Sequence, residues 1–200
     1  MKSDSLAETE STSAVMLPAT SVSPWAFGRL FAMAALITAP VVVIDQFSKI
    51  YVSSHFQIFE TRPLIPGWLD CTYTLNPGAA FSLFANMPAA FREAFFIGLS
   101  AAAVVVMTVL IARRATHGTT AFACALVLAG TIGNLIDRLG RGRVVDFIYF
   151  HHAAFRYPVF NLADAAITCG VALILFFSWR QEHPVAPSKE RPAAEFDRQS

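Results

Sequence analysis

Long uncharged runs alternate with polar segments along this chain, and the spacing predicts four membrane spans. Residues 1–25 are rich in Ser, Thr, Ala and acids without apolar periodicity, the pattern of a disordered tail. Asp4, Glu8 and Glu10 break the basic n-region that a signal peptide would need. From Ala26 to Ile44 the only charge is Arg29, which can snorkel to an interface. At helical rise these nineteen residues reach about 28 Å, the thickness of a bilayer's hydrocarbon core. Ala94–Ala112, ended by Arg113-Arg114, and Thr119–Ile136, closed by Asp137 and Arg138, predict the second and third spans. Val159–Trp179 predicts the fourth, with Asp164 near its start and Arg180 at its end. Residues 181–200 are polar and Pro-containing and read as a second disordered tail, leaving 26–180 as the membrane domain.

Between the first two spans, Leu69, Cys71, Tyr73 and Leu75 alternate with Asp70, Thr72 and Thr74, as in a half-buried strand. Asn76-Pro77-Gly78 is a turn signal, and Ala79 to Phe84 reads as a returning strand. A small sheet on the membrane surface would satisfy its backbone outside the lipid; an ordinary loop is the alternative.

Composition agrees with a membrane protein. The chain of 200 residues is 55% hydrophobic and 14% charged, whereas a soluble domain carries about a quarter charged residues. No long basic run invites nucleic acid. Three cysteines are too few for a disulfide framework; Cys124 and Cys169 read as small buried hydrophobes, and Cys71 as a free loop thiol. Charge bias barely orients the spans: eight Lys and Arg fall on the side of the termini and seven on the other.

The candidate chemistry lies between Gly130 and Gly170, where Asp137, Asp146 and Asp164 stand in or beside apolar sequence. A charge at membrane depth costs roughly 2.5–3.5 kcal/mol on insertion scales, so each carboxylate needs a reason. Asn134 and Arg138 share a helix face, and Gly140 and Gly142 are expected to break that helix. Asp146 sits among Val144, Val145, Phe147 and Ile148, and Asp164 falls in the first turn of the fourth span. Two partly desolvated carboxylates at one span mouth suit general acid/base work, because one holds a proton while the other activates water. Plainer readings stand beside this. Asp45 and Lys49 resemble an exposed helical ion pair, Asn161 with Asp164 a helix cap, and Asp137, Arg138 and Arg141 an interfacial charge cluster. Adjacent His151 and His152 have no third ligand at metal spacing, and Ser48 and Ser82 have no evident His partner, so neither zinc nor a serine triad is expected.

Five ordered blocks carry a resemblance. They are Asp45-Gln46-Phe47-Ser48-Lys49, Asn76 to Ser82, Gly133-Asn134-Leu135-Ile136-Asp137-Arg138, Val144-Val145-Asp146-Phe147, and Phe160 to Ile167. Together they resemble the bacterial lipoprotein signal peptidases (signal peptidase II) over about residues 27–180. The resemblance implies an all-α polytopic aspartyl endopeptidase of the inner membrane, with four helices and a small periplasmic β-cradle between the first and second. It implies cytoplasmic termini, a monomer, no cofactor, and a prolipoprotein substrate bearing a diacylglyceryl-cysteine, cleaved on the amino side of that cysteine within the membrane lipid. By motif position Asp146 and Asp164 match the catalytic pair, while Asp45, Lys49, Asn76, Gly78, Asn134, Arg138, Asn161 and Ala163 match supporting or substrate-binding positions. The residues alone leave Asp137 in contention for the pair. They also leave open a proton-coupled transporter and a non-catalytic assembly factor. For Arg141, Arg143 and Arg156 the expectation is contact with lipid headgroups or the precursor backbone.

Overall fold

The computed structural model describes residues 24–78, 87–113 and 118–182. In these residues four helices are long and apolar enough to cross a membrane: α1 (Pro24–His55), α2 (Ala89–Arg113), α3 (Gly118–Arg141) and α4 (Leu162–Glu182). The first is longer than the apolar run alone predicts: it continues through Asp45 and Lys49 to His55, with Pro40 inside it. The fourth begins at Leu162 rather than Val159, because Phe160 is still extended and bridges to Ile148.

Among the helices, α3 is central and packs against each of the other three. Its buried positions are mostly small: Ala121, Ala123, Cys124, Ala125, Ala129, Gly130 and Gly133. Lipid gives helices little hydrophobic reason to associate, so close backbone approach and the dispersion contacts it permits hold them together. At Gly130 a Cβ would overlap the carbonyl oxygen of Ala163 on α4, and at Gly170 it would come 2.7 Å from the carbonyl oxygen of Ala123. Ala34, Ile111, Cys124 and Ala125 close the contact among α1, α2 and α3. Leu36, Val43, Phe47, Val105, Leu175 and Phe176 face outward, as lipid-contacting positions should.

A four-stranded antiparallel sheet completes the described fold: β1 (Thr61–Ile65), β2 (Leu69–Asn76), β3 (Val144–His152) and β4 (Phe155–Arg156), in that order. The expected all-α class is therefore amended, and so is the expected position of the cradle. Two of its strands lie between α1 and α2, but the other two come from the segment between α3 and α4. The run around Asp146 is a strand because β-branched and aromatic residues dominate Val144–His152.

Gly142, at φ 69°, ends α3 in the left-handed conformation, and its N–H returns to the carbonyl of Arg138 at 3.0 Å. Gly140 stays within the helix, contrary to expectation. Cys71 is buried in β2 and not on a loop, whereas Cys169 is exposed on α4 and not packed inside. The expected returning strand at 79–84 and both expected tails, apart from Pro24, Trp25, Gln181 and Glu182, lie outside the described residues.

Candidate active site

Asp146 reaches its position through strand register. Thr74 and Asn76 of β2 stand opposite Asp146 and Val144 of β3, so the end of β2 lies beside the carboxylate. Asn76 Nδ2 donates to Asp146 Oδ2 at 2.9 Å, while its Oδ1 accepts the N–H of Gly78 at 2.9 Å. That second bond fixes which way the amide points. It requires the turn, and Gly78 sits there at φ 95°, where a Cβ would also overlap the ring of Phe96. Arg92 Nε braces the same turn through the carbonyl of Pro77 at 3.1 Å. On the other side Asn161 Nδ2 donates to Asp146 Oδ1 at 2.6 Å. Burial, foremost, and the neighbouring Asp164 charge push the Asp146 carboxyl up to about 7, although both amide donors pull the other way.

Asp164 stands on the first turn of α4. Its N–H donates to Asn161 Oδ1 at 2.9 Å, and the N–H of Asn161 donates back to Asp164 Oδ2 at 3.3 Å. This is a reciprocal cap, so the capping reading of these residues is correct. It does not exclude a role in chemistry, because Asn134 Nδ2 also donates to Asp164 Oδ1 at 2.7 Å, and Asn161 Nδ2 lies 3.2 Å from Asn134 Oδ1. Two asparagines thus bridge the two carboxylates. Phe160 sets the distance: its N–H and C=O pair with Ile148, which holds Asn161 against β3.

Asp45, Lys49 and Asp137 contradict the surface readings. Each is almost fully buried, with Lys49 at 0% exposure. Lys49 Nζ lies 2.8 Å from Asp45 Oδ2 and 3.0 Å from Asp137 Oδ2, and it donates to Asn134 Oδ1 at 3.0 Å. Asp45 Oδ1 accepts the N–H of Ala163 at 2.9 Å, and Asp137 Oδ2 accepts that of Val145 at 3.1 Å. Arg141, itself exposed, ion-pairs with the buried Asp137. Arg138 Nη1 donates to Ser100 Oγ at 3.2 Å and lies over the Phe96 ring at 5.5 Å, with its charge felt by Asp164 and Asp146. Nine of the ten residues singled out in the sequence are joined by hydrogen bonds and ion pairs, with Arg138 beside them, and Asp137 joins the same network through Lys49.

A profile of the family described as Signal peptidase (SPase) II matches residues 37–180. The chain belongs to the signal peptidase II family. It is a peptidase of the aspartic class and a multi-pass membrane protein. The "Lipoprotein signal peptidase" of Syntrophus aciditrophicus (strain SB) is 43% identical over 142 residues, covering 70% of this chain and 88% of that one. The protein of the same name from Yersinia enterocolitica serotype O:8 / biotype 1B is 42% identical over 137 residues, 68% and 80% of the two chains. A bacterial membrane enzyme solved by the in meso method at 2.3 Å resolution superposes with a TM-score of 0.70 at 28% identity, covering 80% and 94% of the two chains.

Several members of the signal peptidase II network escape a reading by residue type. Gln46 Nε2 donates to the carbonyl of Gly133 at 3.0 Å and to Asp45 Oδ2 at 3.2 Å. Ser100 is one of two polar interruptions in the second span, and it could have betrayed the Arg138 contact. Gly133 gives no chemical signal, yet a Cβ there would sit 2.6 Å from Asp45 Oδ2. Beside Asp164 an apolar cavity of about 460 Å3 opens between α4 and the β3–β4 hairpin, lined by Phe150, Phe155, Tyr157 and Phe160 among others.

Proposed function

We propose that Asp146 and Asp164 are the catalytic dyad of this endopeptidase. The enzyme removes signal peptides from prolipoproteins. Its substrate, in this reading, carries a diacylglyceryl group on the cysteine after the scissile bond, and cleavage falls on the amino side of that cysteine. The observation that carries the assignment is the pair of asparagines bridging two carboxylates at a span mouth. Asp45, Lys49, Asn76, Gly78, Asn134, Arg138, Asn161 and Ala163 hold that pair in place.

The buried Asp146, pushed up to about 7, keeps a proton near neutrality, and Asp164 acts as the base. Asp164 takes a proton from water, the oxygen attacks the scissile carbonyl carbon, and Asp146 passes its proton to the carbonyl oxygen. In the second half Asp164 returns its proton to the leaving nitrogen while Asp146 recovers one from the tetrahedral intermediate. The carbon–nitrogen bond then breaks, and the dyad is restored. No cofactor enters this cycle. The cavity beside Asp164 offers an apolar surface to the lipidated end of the precursor.

The same reading places a monomer in the bacterial inner membrane, with the sheet and dyad at the periplasmic face, the termini in the cytoplasm and no nucleic-acid partner. It is tested by incubating the purified protein in detergent with a diacylglyceryl-modified precursor, beside Asp146→Asn and Asp164→Asn and with a chelator present. Wild type should cleave and both variants, melting like folded protein, should lose at least a thousandfold in kcat. Full activity in either folded variant would refute the dyad.

A further inference from the structure

A buried ammonium, that of Lys49, lies one side chain away from Asp164. Lys49 Nζ has three acceptors within 3.0 Å, matching its three N–H donors: Asp45 Oδ2, Asp137 Oδ2 and Asn134 Oδ1. Charge balance does not call for the third. Asp45 alone would neutralise Lys49, and Asp137 is already paired with Arg141. Resting on the dyad reading, we propose that Lys49 is a positioning residue, which holds Asn134 Oδ1 and thereby aims the Asn134 amide N–H at the proton-accepting Asp164.

The chemistry of the amide makes this directional. Asn134 Oδ1 faces two donors, the Lys49 ammonium and Asn161 Nδ2 at 3.2 Å, and its Nδ2 faces the Asp164 carboxylate at 2.7 Å. Turning the amide over would set its –NH2 against an ammonium and an amide N–H, and its oxygen against a carboxylate. All three contacts would then be like against like, in a site where Lys49, Asp45, Asp137 and Asn161 are at most 1% exposed. Without Lys49 one of those penalties disappears, and the donor serving Asp164 is less firmly held. The loss would fall on the base of the reaction rather than on substrate binding, because Lys49 is enclosed. The charged groups around the pair are Lys49 and Asp45 on α1, Asp137, Arg138 and Arg141 on α3, Asp146 on β3 and Asp164 on α4.

The competing account is that Lys49 is only an ionic tie between α1 and α3. A charge-balanced exchange separates the two. In Asp45→Asn/Lys49→Met one charge of each sign is removed, Asp137 keeps Arg141, and the carboxamide oxygen introduced at position 45 can still accept the N–H of Ala163. The protein should melt close to wild type. Its kcat on the diacylglyceryl-modified precursor should fall at least tenfold with KM within twofold, and the acid limb of the kcat–pH profile should move to higher pH. In Asp45→Asn/Lys49→Gln an amide N–H is again available to Asn134, and part of the kcat should return. A folded Met variant with wild-type kcat and profile would overturn the role of Lys49 while leaving the dyad standing, whereas a wild type without cleavage would overturn both. If the Met variant fails to fold, Asn134→Ala, in which the ion cluster stays intact, should show the same kcat loss and profile shift. An unchanged profile there would also overturn the proposal.

Discussion

Asp146 is held between opposing influences, and the two amides that touch it are the handles by which it can be adjusted. Burial and the Asp164 charge raise its proton affinity; the Asn76 and Asn161 donors lower it. As the proposed acid of the reaction Asp146 must enter protonated, so kcat/KM should fall as pH rises through about 7. Removing Asn76 Nδ2 removes a donor that favours the ionised form, so Asn76→Ala should move this alkaline limb to higher pH. A pH–rate profile of the variant against wild type checks the sign, and movement to lower pH would contradict this account of Asp146. The residues of this site were present in the sequence as motif blocks, and the resemblance assigned them. What residue type alone could not supply was burial. Asp45 and Lys49, four apart at a span end, look the same whether they face water or another helix. Their enclosure comes from Asn134 and Asp137 on α3, some 85 positions away. The same distant packing turns Asp137 from a dyad candidate into a counter-ion.

At the scale of elements, the spans were legible because an uncharged run of helical length is long enough to cross the hydrocarbon core and too apolar for most surface helices. Strand β2 showed its alternation, but β3 did not, since Val144 and Val145 are both buried and no period-2 pattern marks its start. Which elements touch was invisible as well, because glycine carries no side chain to signal a contact. The closeness of α3 to α4 nevertheless sets the site: Asn134 must reach Asp164 across that interface. Gly130→Ala would press a methyl against the carbonyl of Ala163, one residue before Asp164. Overpacking of this kind costs about 1–3 kcal/mol. The variant should melt several degrees lower and cleave the precursor at least tenfold more slowly. Gly98→Ala on α2 meets open space and should do neither. Equal behaviour of the two variants would mean that the α3–α4 approach does not govern the dyad.

For the whole molecule the question is which way it sits in the bilayer, and some of the cations that confuse the charge count are engaged by other groups of the protein. Of the seven on the side of the dyad, Lys49 and Arg141 are bound to buried carboxylates, and Arg138 is directed at Ser100 and Phe96 beside the pair. These three are accounted for by the site and say little about topology. The positive-inside rule then rests on the remaining cations, which are more numerous on the side of the termini and favour that side as cytoplasmic. The same orientation would put the proposed dyad where a lipid-anchored precursor presents its cysteine after export. Cysteine labelling in spheroplasts decides the matter. With Cys71, Cys124 and Cys169 replaced by alanine, Arg143→Cys, exposed between α3 and β3, should react with a membrane-impermeant maleimide in intact spheroplasts. Ser188→Cys should react only after the membrane is opened. The reverse pattern would place the dyad in the cytoplasm, out of reach of an exported precursor, and with it the proposed division of labour between Asp146 and Asp164 would lose its substrate.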